Sequence, residues 1–281
     1  MPDSVLKFSL ILATVGRTED VAKFLVHLGA QTYQNFELVV VDQNQDDRLI
    51  PILAGYSERF PIQHCRSAVG LSLARNVGLK STSGDVIAFP DDDCWYSPDL
   101  LERVARFFSQ HPDLDGVTGR PNDSSFSRFH TTSGPLDRYN VFLRCSSFTI
   151  FLRTSVVEKI GEFDEGLGLG SRSGKIAAEE SDYLIRALAM GFHLSLDADI
   201  QVSHREPEVL YDRNFNRKAR AYNLALGFVL RKHQYPLCYV ARMWVRAFGG
   251  MCLAALSLNW PQVRYHYNVM TGRVLGYLAR Q

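Results

Sequence analysis

The chain has 281 residues, of which 46% are apolar and 22% are charged. This composition excludes a disordered or fibrous chain and predicts a globular protein with a large core. The formal net charge of +1 identifies no partner, but the charge is unevenly distributed. From Arg205 onward, twelve Lys and Arg residues stand against three carboxylates, a balance of +9 that leaves −8 for the rest of the chain. A basic tail on an acidic body favours an anionic partner surface, either nucleic acid or membrane lipid.

The five cysteines are widely scattered and form no C-x-x-C pair. The sequence therefore predicts neither a disulfide framework nor a zinc site, and a reducing compartment fits best. The first residues lack a positively charged segment and a long apolar core, so we expect no signal peptide. Every long apolar stretch is interrupted by charge, so we expect no transmembrane helix and a cytoplasmic protein.

Strand and helix patterns alternate in the first third of the chain. This alternation predicts a parallel sheet with right-handed crossovers. Residues at the carboxyl ends of the strands should then share one rim, where open α/β sheets bind their ligands. The predicted strands cover 8–13, 37–41, 62–65 and 86–89, and the predicted helices cover 18–29, 48–59 and 71–80.

The middle of the chain contains two segments without a regular pattern. Residues 119–140 are rich in Ser, Asp, Asn, Pro and Gly, which predicts a loop, and residues 161–174 hold five glycines, which predicts a mobile flap. Around them, helices are predicted at 97–110, 154–160 and 178–190, and strands at 114–118, 144–152, 192–196 and 200–203.

From residue 213 onward the pattern is helical only. Predicted helices cover 214–232 and 236–258, and a last one contains Gly272 and Gly276. The second helix is apolar but carries Arg242 and Arg246 four residues apart, which is typical of an amphipathic helix at a membrane interface. The alternative is an ordinary helical cap with its arginines in solvent.

Three consecutive carboxylates follow the apolar run 86–89, and Pro90 should end that strand because proline cannot donate to a central ladder. Adjacent carboxylates repel one another unless a cation or hydrogen-bond donors balance them. Such a site suits Mg²⁺ or Mn²⁺, which usually bridge to substrate phosphates. The alternative is a solvated acidic loop with Asp99 capping the next helix. The triplet consists of Asp91, Asp92 and Asp93.

Other polar groups are expected on the same rim. Asp42 ends the second strand, Arg75 lies on the helix after Gly70, and His204 ends a later strand. An acidic cluster opens a helix and consists of Glu179, Glu180 and Asp182, with Ser181 between them.

In this order the segments resemble inverting family 2 glycosyltransferases of the GT-A fold. Single segments are weak signals, but chance rarely keeps so many in register. The resemblance covers roughly residues 7–205. The matching segments are 10–17, 36–42, 70–76, the aspartate triplet, 163–165 with the glycine-rich stretch, and 179–183.

The resemblance implies a mixed α/β sheet flanked by helices. The catalytic GT-A domain would cover 1–205, with a nucleotide-binding half at about 7–95 and an acceptor half at about 96–205. A helical region at 206–281 would follow, as a candidate for membrane association at the inner leaflet. The implied partners are a UDP-linked sugar donor and a glycan or lipid-linked acceptor of cell-surface polysaccharide synthesis. Nucleic acid is not expected, since the basic tail lacks a recognition motif.

The resemblance also implies donor-binding roles. Asp42 would accept hydrogen bonds from the base imide, the alternative being a strand-end cap. Thr14 and Arg17 would line the nucleotide pocket, unless Arg17 is simply an exposed surface residue. Arg75 could grip phosphates with a bidentate fork, the alternative being an ion pair with Asp85.

In the resembling family the first aspartate of the motif contacts ribose and the last holds the metal. Here these are Asp91 and Asp93, with Asp92 as a further donor-binding candidate because the register of three identical residues is ambiguous. His204 resembles the histidine that supplements the Mg²⁺ or Mn²⁺ site, although a structural histidine is the alternative.

An inverting transfer needs a base to deprotonate the acceptor hydroxyl. A carboxylate at a helix N-terminus suits this because backbone amides hold it ionised. Register with the family indicates Glu180, while Glu179 and Asp182 remain alternatives, and any of the three could merely cap the helix.

Two other functions remain open. A nucleotidyltransferase also uses a parallel sheet and acidic metal ligands, but residues 14–18 match its glycine-rich phosphate loop poorly. A non-catalytic scaffold or glycan-binding protein could keep the same fold, although the intact acidic positions argue against lost activity.

Overall fold

The computed structural model describes residues 5–122, 132–205 and 211–279. Its contacts divide the chain into two units, Met1–Phe163 with Tyr183–Glu206, and Asp164–Asp182 with Pro207–Gln281. The predicted domain boundary lies near residue 205. The division by contacts differs from it in one segment, because residues 164–182 group with the C-terminal helices.

The first part of the sheet is built from parallel strands in the order β3-β2-β1-β4, as the strand–helix alternation predicts. The two central strands are buried along their length, which explains their continuous apolar sequences. The elements are β1 (Phe8–Thr14), α1 (Glu19–Gly29), β2 (Phe36–Asp42), α2 (Ile50–Ala54), β3 (Ile62–Arg66), α3 (Leu71–Leu79) and β4 (Val86–Ala88).

The remaining strands make the sheet mixed. Its nine described strands follow the order β3-β2-β1-β4-β8-β6-β9-β5, with β7 on β9, and β8 runs antiparallel to β4. The elements are β5 (Cys94–Tyr96), α4 (Leu100–Gln110), β6 (Gly116–Pro121), β7 (Gly134–Pro135), α5 (Val141–Arg144), β8 (Ile150–Arg153), α6 (Thr154–Ile160), α7 (Glu179–Ala189) and β9 (Leu194–His204).

Several elements differ from their predicted form because tertiary pairing outweighs local pattern. The strand predicted at 144–152 is the end of α5, a 3₁₀ turn at Ser147–Thr149 and the start of β8. The strands predicted at 192–196 and 200–203 are one strand, β9, and the helix predicted at 48–59 shortens to α2. In the predicted loop 119–140, β6 reaches Pro121 and β7 forms, while residues 123–131 lie outside the described part.

The C-terminal residues form helices, as predicted. They are α8 (Arg213–Lys232), α9 (Leu237–Leu256) and α10 (Trp260–Leu278). Within the described ranges, none of the helices combines the length and the apolar character that crossing a membrane requires. Helices α8 and α10 approach so closely that a Cβ atom on Gly276 would lie 2.0 Å from the carbonyl oxygen of Leu224.

We expect Gly276→Ala to destabilise the C-terminal helices. The added methyl group would force α10 away from the backbone of α8, at a cost of about 1–3 kcal/mol in the free energy of unfolding. Chemical denaturation measures this cost. Gly249→Ala in α9 is the matched control, because a Cβ there meets no atom within 4 Å, so it should be neutral or stabilising. Equal effects of the two changes would contradict the packing described.

Candidate active site

The middle aspartate of the triplet turns toward the start of the chain. Its Oδ2 accepts a hydrogen bond from Thr14 Oγ1 at 2.6 Å, and its Oδ1 lies 2.7 Å from Arg17 Nη1. The same Arg17 nitrogen lies 2.6 Å from Asp93 Oδ2, so one guanidinium joins two carboxylates. Burial raises the pKa of Asp92, although Thr14 and Arg17 act in the opposite direction. Both carboxylate oxygens of Asp92 thus have protein partners in this structure, and its role in donor binding stays a prediction.

The outer aspartates and a histidine form a candidate metal centre. One side-chain ligand atom from each of Asp91, Asp93 and His204 can be chosen so that all lie within 4.8 Å of one another. Asp93 Oδ1 and His204 Nε2 lie 3.0 Å apart. Sheet pairing causes this meeting, because Cys94 of β5 stands opposite His204 at the end of β9. Two carboxylates and one imidazole fit a divalent cation such as Mn²⁺ or Mg²⁺.

The orientation of the histidine ring is fixed on two sides. His204 Nδ1 donates to the carbonyl of Arg205 at 2.7 Å, and the Phe148 ring stacks on the imidazole with centroids 4.6 Å apart. This arrangement directs Nε2 toward Asp93, an orientation that would allow both side chains to bind one cation. Sequence reasoning missed Phe148, since a turn inside a presumed strand gives no signal of such a contact.

Asp93 and His204 shift each other's pKa in opposite directions. Burial would raise the pKa of Asp93, but hydrogen bonds from His204 and Arg17 outweigh it and hold the pKa at about 2. Burial would lower the pKa of His204, yet its bond to Asp93 raises it overall. Asp93 is thus ionised across the physiological range, which a metal ligand must be.

Arg75 is a buried residue, with 1% of its surface exposed. Its Nη2 lies 3.3 Å from Asp91 Oδ1, and its guanidinium carbon lies 5.8 Å from the Phe89 ring centroid and 5.6 Å from that of Phe163. Arg75 therefore does not form the surface ion pair with Asp85 that was the alternative for this residue. A buried cation beneath the triplet offsets part of its negative charge.

Asp42 lies fully buried at the end of β2 with both carboxylate oxygens engaged. Its Oδ1 accepts from the Asn44 amide at 2.8 Å, and its Oδ2 lies 3.0 Å from His64 Nε2 and 3.1 Å from Arg66 Nη1. A nucleotide base would have to replace one of these partners, so its role in base binding stays a prediction. The sequence does contain a signal for His64, because it shares one side of β3 with Arg66, which pairs opposite Asp42.

The acidic cluster at the start of α7 holds three differently placed carboxylates. Asp182 is fully buried, and its Oδ1 lies 2.8 Å from both Lys232 Nζ and His233 Nε2. Lys232 also lies 2.6 Å from Asp164 Oδ2, so the end of α8 joins the glycine-rich segment to the first turn of α7. Asp182 therefore has a structural role. The sequence does not indicate this role, because its partners lie far away along the chain.

The other two acids differ in exposure. Glu179 is 5% exposed, whereas Glu180 is half-buried and reaches solvent. Ala178, immediately before the helix, adopts φ +66°, a left-handed conformation that is costly for a residue with a Cβ. The backbone just before α7 is therefore strained, as is common where a fold fixes the direction of side chains.

A pocket of about 430 Å³ opens beside the metal centre within the first unit. Its walls include Asp93, His204 and Asn122, together with Lys23, whose Nζ lies 3.3 Å from the centroid of the Trp95 ring. Its volume suits a small polar ligand.

Solved structures share this fold. A crystal structure of Staphylococcus aureus TarS 1–349 in complex with UDP-GlcNAc has a TM-score of 0.60 and 18% identity, covering 96% of this chain and 91% of that one. The mannosyltransferase PcManGT from Pyrobaculum calidifontis, in complex with GDP-Man and Mn²⁺, has a TM-score of 0.68 and 14% identity, covering 97% and 87%. The fold is therefore that of GT-A glycosyltransferases, as the resemblance in sequence implies.

The family model described as "Glycosyl transferase family 2" matches residues 9–161. The chain belongs to this family, which confirms the resemblance drawn from its sequence motifs. An uncharacterised glycosyltransferase of Bacillus subtilis strain 168, YwdF, is 30% identical over 180 residues, covering 63% of this chain and 62% of the relative. Matches to two further curated relatives span 37% and 31% of their lengths, so the chain spans only part of these relatives.

We expect Asp93→Asn to weaken Mn²⁺ binding by at least about 10–100-fold, because it removes a charged ligand. Asp92→Asn is the matched control, since Asp92 faces Thr14 and Arg17, and it should bind Mn²⁺ with little change. Electron paramagnetic resonance of free Mn²⁺ measures both affinities. Equal losses in the two variants would contradict the separation of the triplet described above.

Proposed function

We propose that the chain is a metal-dependent inverting glycosyltransferase that takes its sugar from a nucleotide donor, with UDP-sugars as the first candidates. The acceptor is a glycan or a lipid-linked glycan of cell-surface polysaccharide synthesis. The observation that carries the proposal is the cluster of Asp91, Asp93 and His204 at the carboxyl edge of a GT-A sheet. Family membership and the donor complexes of TarS and PcManGT support it.

The chain's own residues supply donor binding and charge balance. Asp93 and His204 would hold Mn²⁺ or Mg²⁺, and the imidazole favours Mn²⁺. Asp91, predicted from the sequence to contact the ribose, lies close enough to these two ligands to bind the same ion as well. When bound, this ion neutralises the diphosphate as the bond to the sugar breaks. Arg17 and Arg75 provide guanidinium groups next to the triplet, where the phosphates of a donor add negative charge. Thr14 and Asp42 belong to the proposed nucleotide side of the site.

Glu180 is proposed as the base that takes the proton from the acceptor hydroxyl. Its partial exposure supports this role, since Glu179 is buried and Asp182 is held by Lys232 and His233. At the start of α7, amide groups of the first turn stabilise negative charge on this carboxylate. The transfer is a single displacement, so no enzyme nucleophile takes part.

A screen of nucleotide sugars tests the proposal. With a suitable acceptor present, one donor should give nucleotide release that depends on Mn²⁺ or Mg²⁺ and stops when a chelator is added. Sugar transfer that continues undiminished in chelator would contradict the metal requirement. The nucleotidyltransferase alternative predicts no such transfer, but release of pyrophosphate when a nucleoside triphosphate and a sugar 1-phosphate are supplied instead, and family membership argues against it.

We expect Glu180→Gln to lower turnover by about 10²–10⁴-fold, the range typical of losing a general base. Donor and Mn²⁺ binding should remain, because the change preserves shape and leaves the metal centre intact. Glu179→Gln is the control and should keep most activity, since that carboxylate is buried. Steady-state kinetics with a saturating donor measure both variants, and near-normal turnover by the Glu180 variant would remove its assigned role.

We also propose that the C-terminal helices contact the cytoplasmic face of an anionic membrane. Along α9 an exposed apolar stripe recurs every three or four residues, and arginines at 242 and 246 adjoin it. An exposed apolar face flanked by basic residues is typical of helices that lie in a lipid interface. The stripe consists of Leu237, Ala241, Val245, Phe248, Cys252 and Leu256.

Flotation with vesicles containing phosphatidylglycerol tests the membrane contact. We expect Val245→Ser with Phe248→Ser to reduce vesicle binding, because these side chains are 68% and 52% exposed and would leave water. Val26→Ser with Met190→Ser is the control, since both residues are similarly exposed but lie in the first unit. Equal binding by both double variants would exclude α9 as the contact.

A further inference from the structure

The C-terminal unit contains a second large pocket, of about 710 Å³, formed by residues of α8, α9 and α10 and the segment just before α8. All of its lining residues belong to this unit, and none belongs to the metal centre. Four of the lining residues are arginines, namely Arg213, Arg217, Arg220 and Arg264.

The arginines are arranged on adjoining helix faces. Arg213, Arg217 and Arg220 are spaced by four and three residues, so they project from one side of α8. Arg264 joins them from α10. Like charges at this spacing on a helix cost a few tenths of a kcal/mol per pair. Such a cluster is unfavourable for the folded protein alone and becomes favourable when an anion binds.

Few protein carboxylates compensate this charge. Within residues 5–122, 132–205 and 211–279, no carboxylate oxygen lies within the 4.0 Å ion-pair distance of these four guanidinium groups. The acid in the lining, Asp212, caps α8 and accepts the Phe215 amide at 2.6 Å. All four arginines are exposed, so their donors are accessible to a ligand in the pocket.

The remaining walls indicate what the anion carries. Tyr211, Tyr267, Met251 and Val263 contribute aromatic and aliphatic surface between the arginines. Guanidinium groups match phosphate oxygens with paired hydrogen bonds, whereas aromatic walls favour an organic group. The volume exceeds what a single inorganic phosphate would fill and lies in the range of small-molecule sites.

We propose that this pocket binds the phosphate group of an organic phosphate ester, with the ester's organic part against the tyrosines. Two sources share this chemistry, a soluble polyol or sugar phosphate and the headgroup of an anionic phospholipid. None of the pocket residues is among those proposed for donor binding, which lie in the other unit.

Calorimetric titration of the full chain tests the site without any nucleotide sugar. The probes are glycerol 3-phosphate, a soluble monoester, and dihexanoyl phosphatidylglycerol below its micellar concentration, a lipid diester. The pocket variant is Arg217→Gln with Arg264→Gln. The control is Arg59→Gln with Arg103→Gln, which removes the same charge from exposed positions of the other unit, outside the pocket.

We expect the wild type and the control to bind one of the probes equally well, and the pocket variant to bind it at least about tenfold more weakly. Preference for the lipid identifies a headgroup, and preference for glycerol 3-phosphate identifies a soluble ester. Absence of wild-type binding to both probes would overturn the proposal, as would equal losses in the two variants, which indicate diffuse attraction. Equal thermal unfolding of all three proteins excludes a folding defect. Transfer activity of the wild type is measured separately, so either proposal can fail while the other stands.

Discussion

The balance of charge around three adjacent carboxylates is the constraint on which the rest of this fold depends. Two like charges about 4 Å apart near a protein surface repel by roughly 4 kcal/mol, so the triplet needs partners from elsewhere in the chain. Those partners arrive from β1, α3 and β9, in the form of Thr14, Arg75 and His204. Strand order brings these distant segments to one edge. The repulsion within the triplet and the arrangement of the sheet are thus linked, because the strand order supplies the groups that balance the three carboxylates.

The parallel half of the sheet could be predicted because its information is local. The apolar runs of β1 and β2 are buried on both faces, and the helices between them show clear periodicity. The second half could not be predicted so well. The short strand β5 has only three residues, and its pairing with β9 is a contact between residues more than a hundred positions apart. The local sequence around β5 does not indicate that it pairs with β9.

The candidate site, like the sheet, could be predicted from the sequence only in part. The aspartate triplet and His204 stand out in the sequence because strand ends in an α/β sheet share a rim, and the structure brings them together. The sequence could not distinguish the three aspartates, because identical residues differ only in the partners that the fold supplies. Arg75 shows the same limit: its place on α3 is predictable, whereas its burial beside two phenylalanine rings is not.

The link from α8 to the acidic helix affects how this protein can be divided or recombined. Lys232 contacts both Asp164 and Asp182, and His233 adds a second contact to Asp182. A fragment ending after β9 would keep a buried carboxylate and lose both of its partners, Lys232 and His233, a change that destabilises folded proteins strongly. Exchange of C-terminal segments between related chains would therefore succeed only where the incoming helix brings a comparable pair of bases at its last turn. The sequence of the C-terminal helices and that of the acidic cluster at the start of α7 therefore constrain each other.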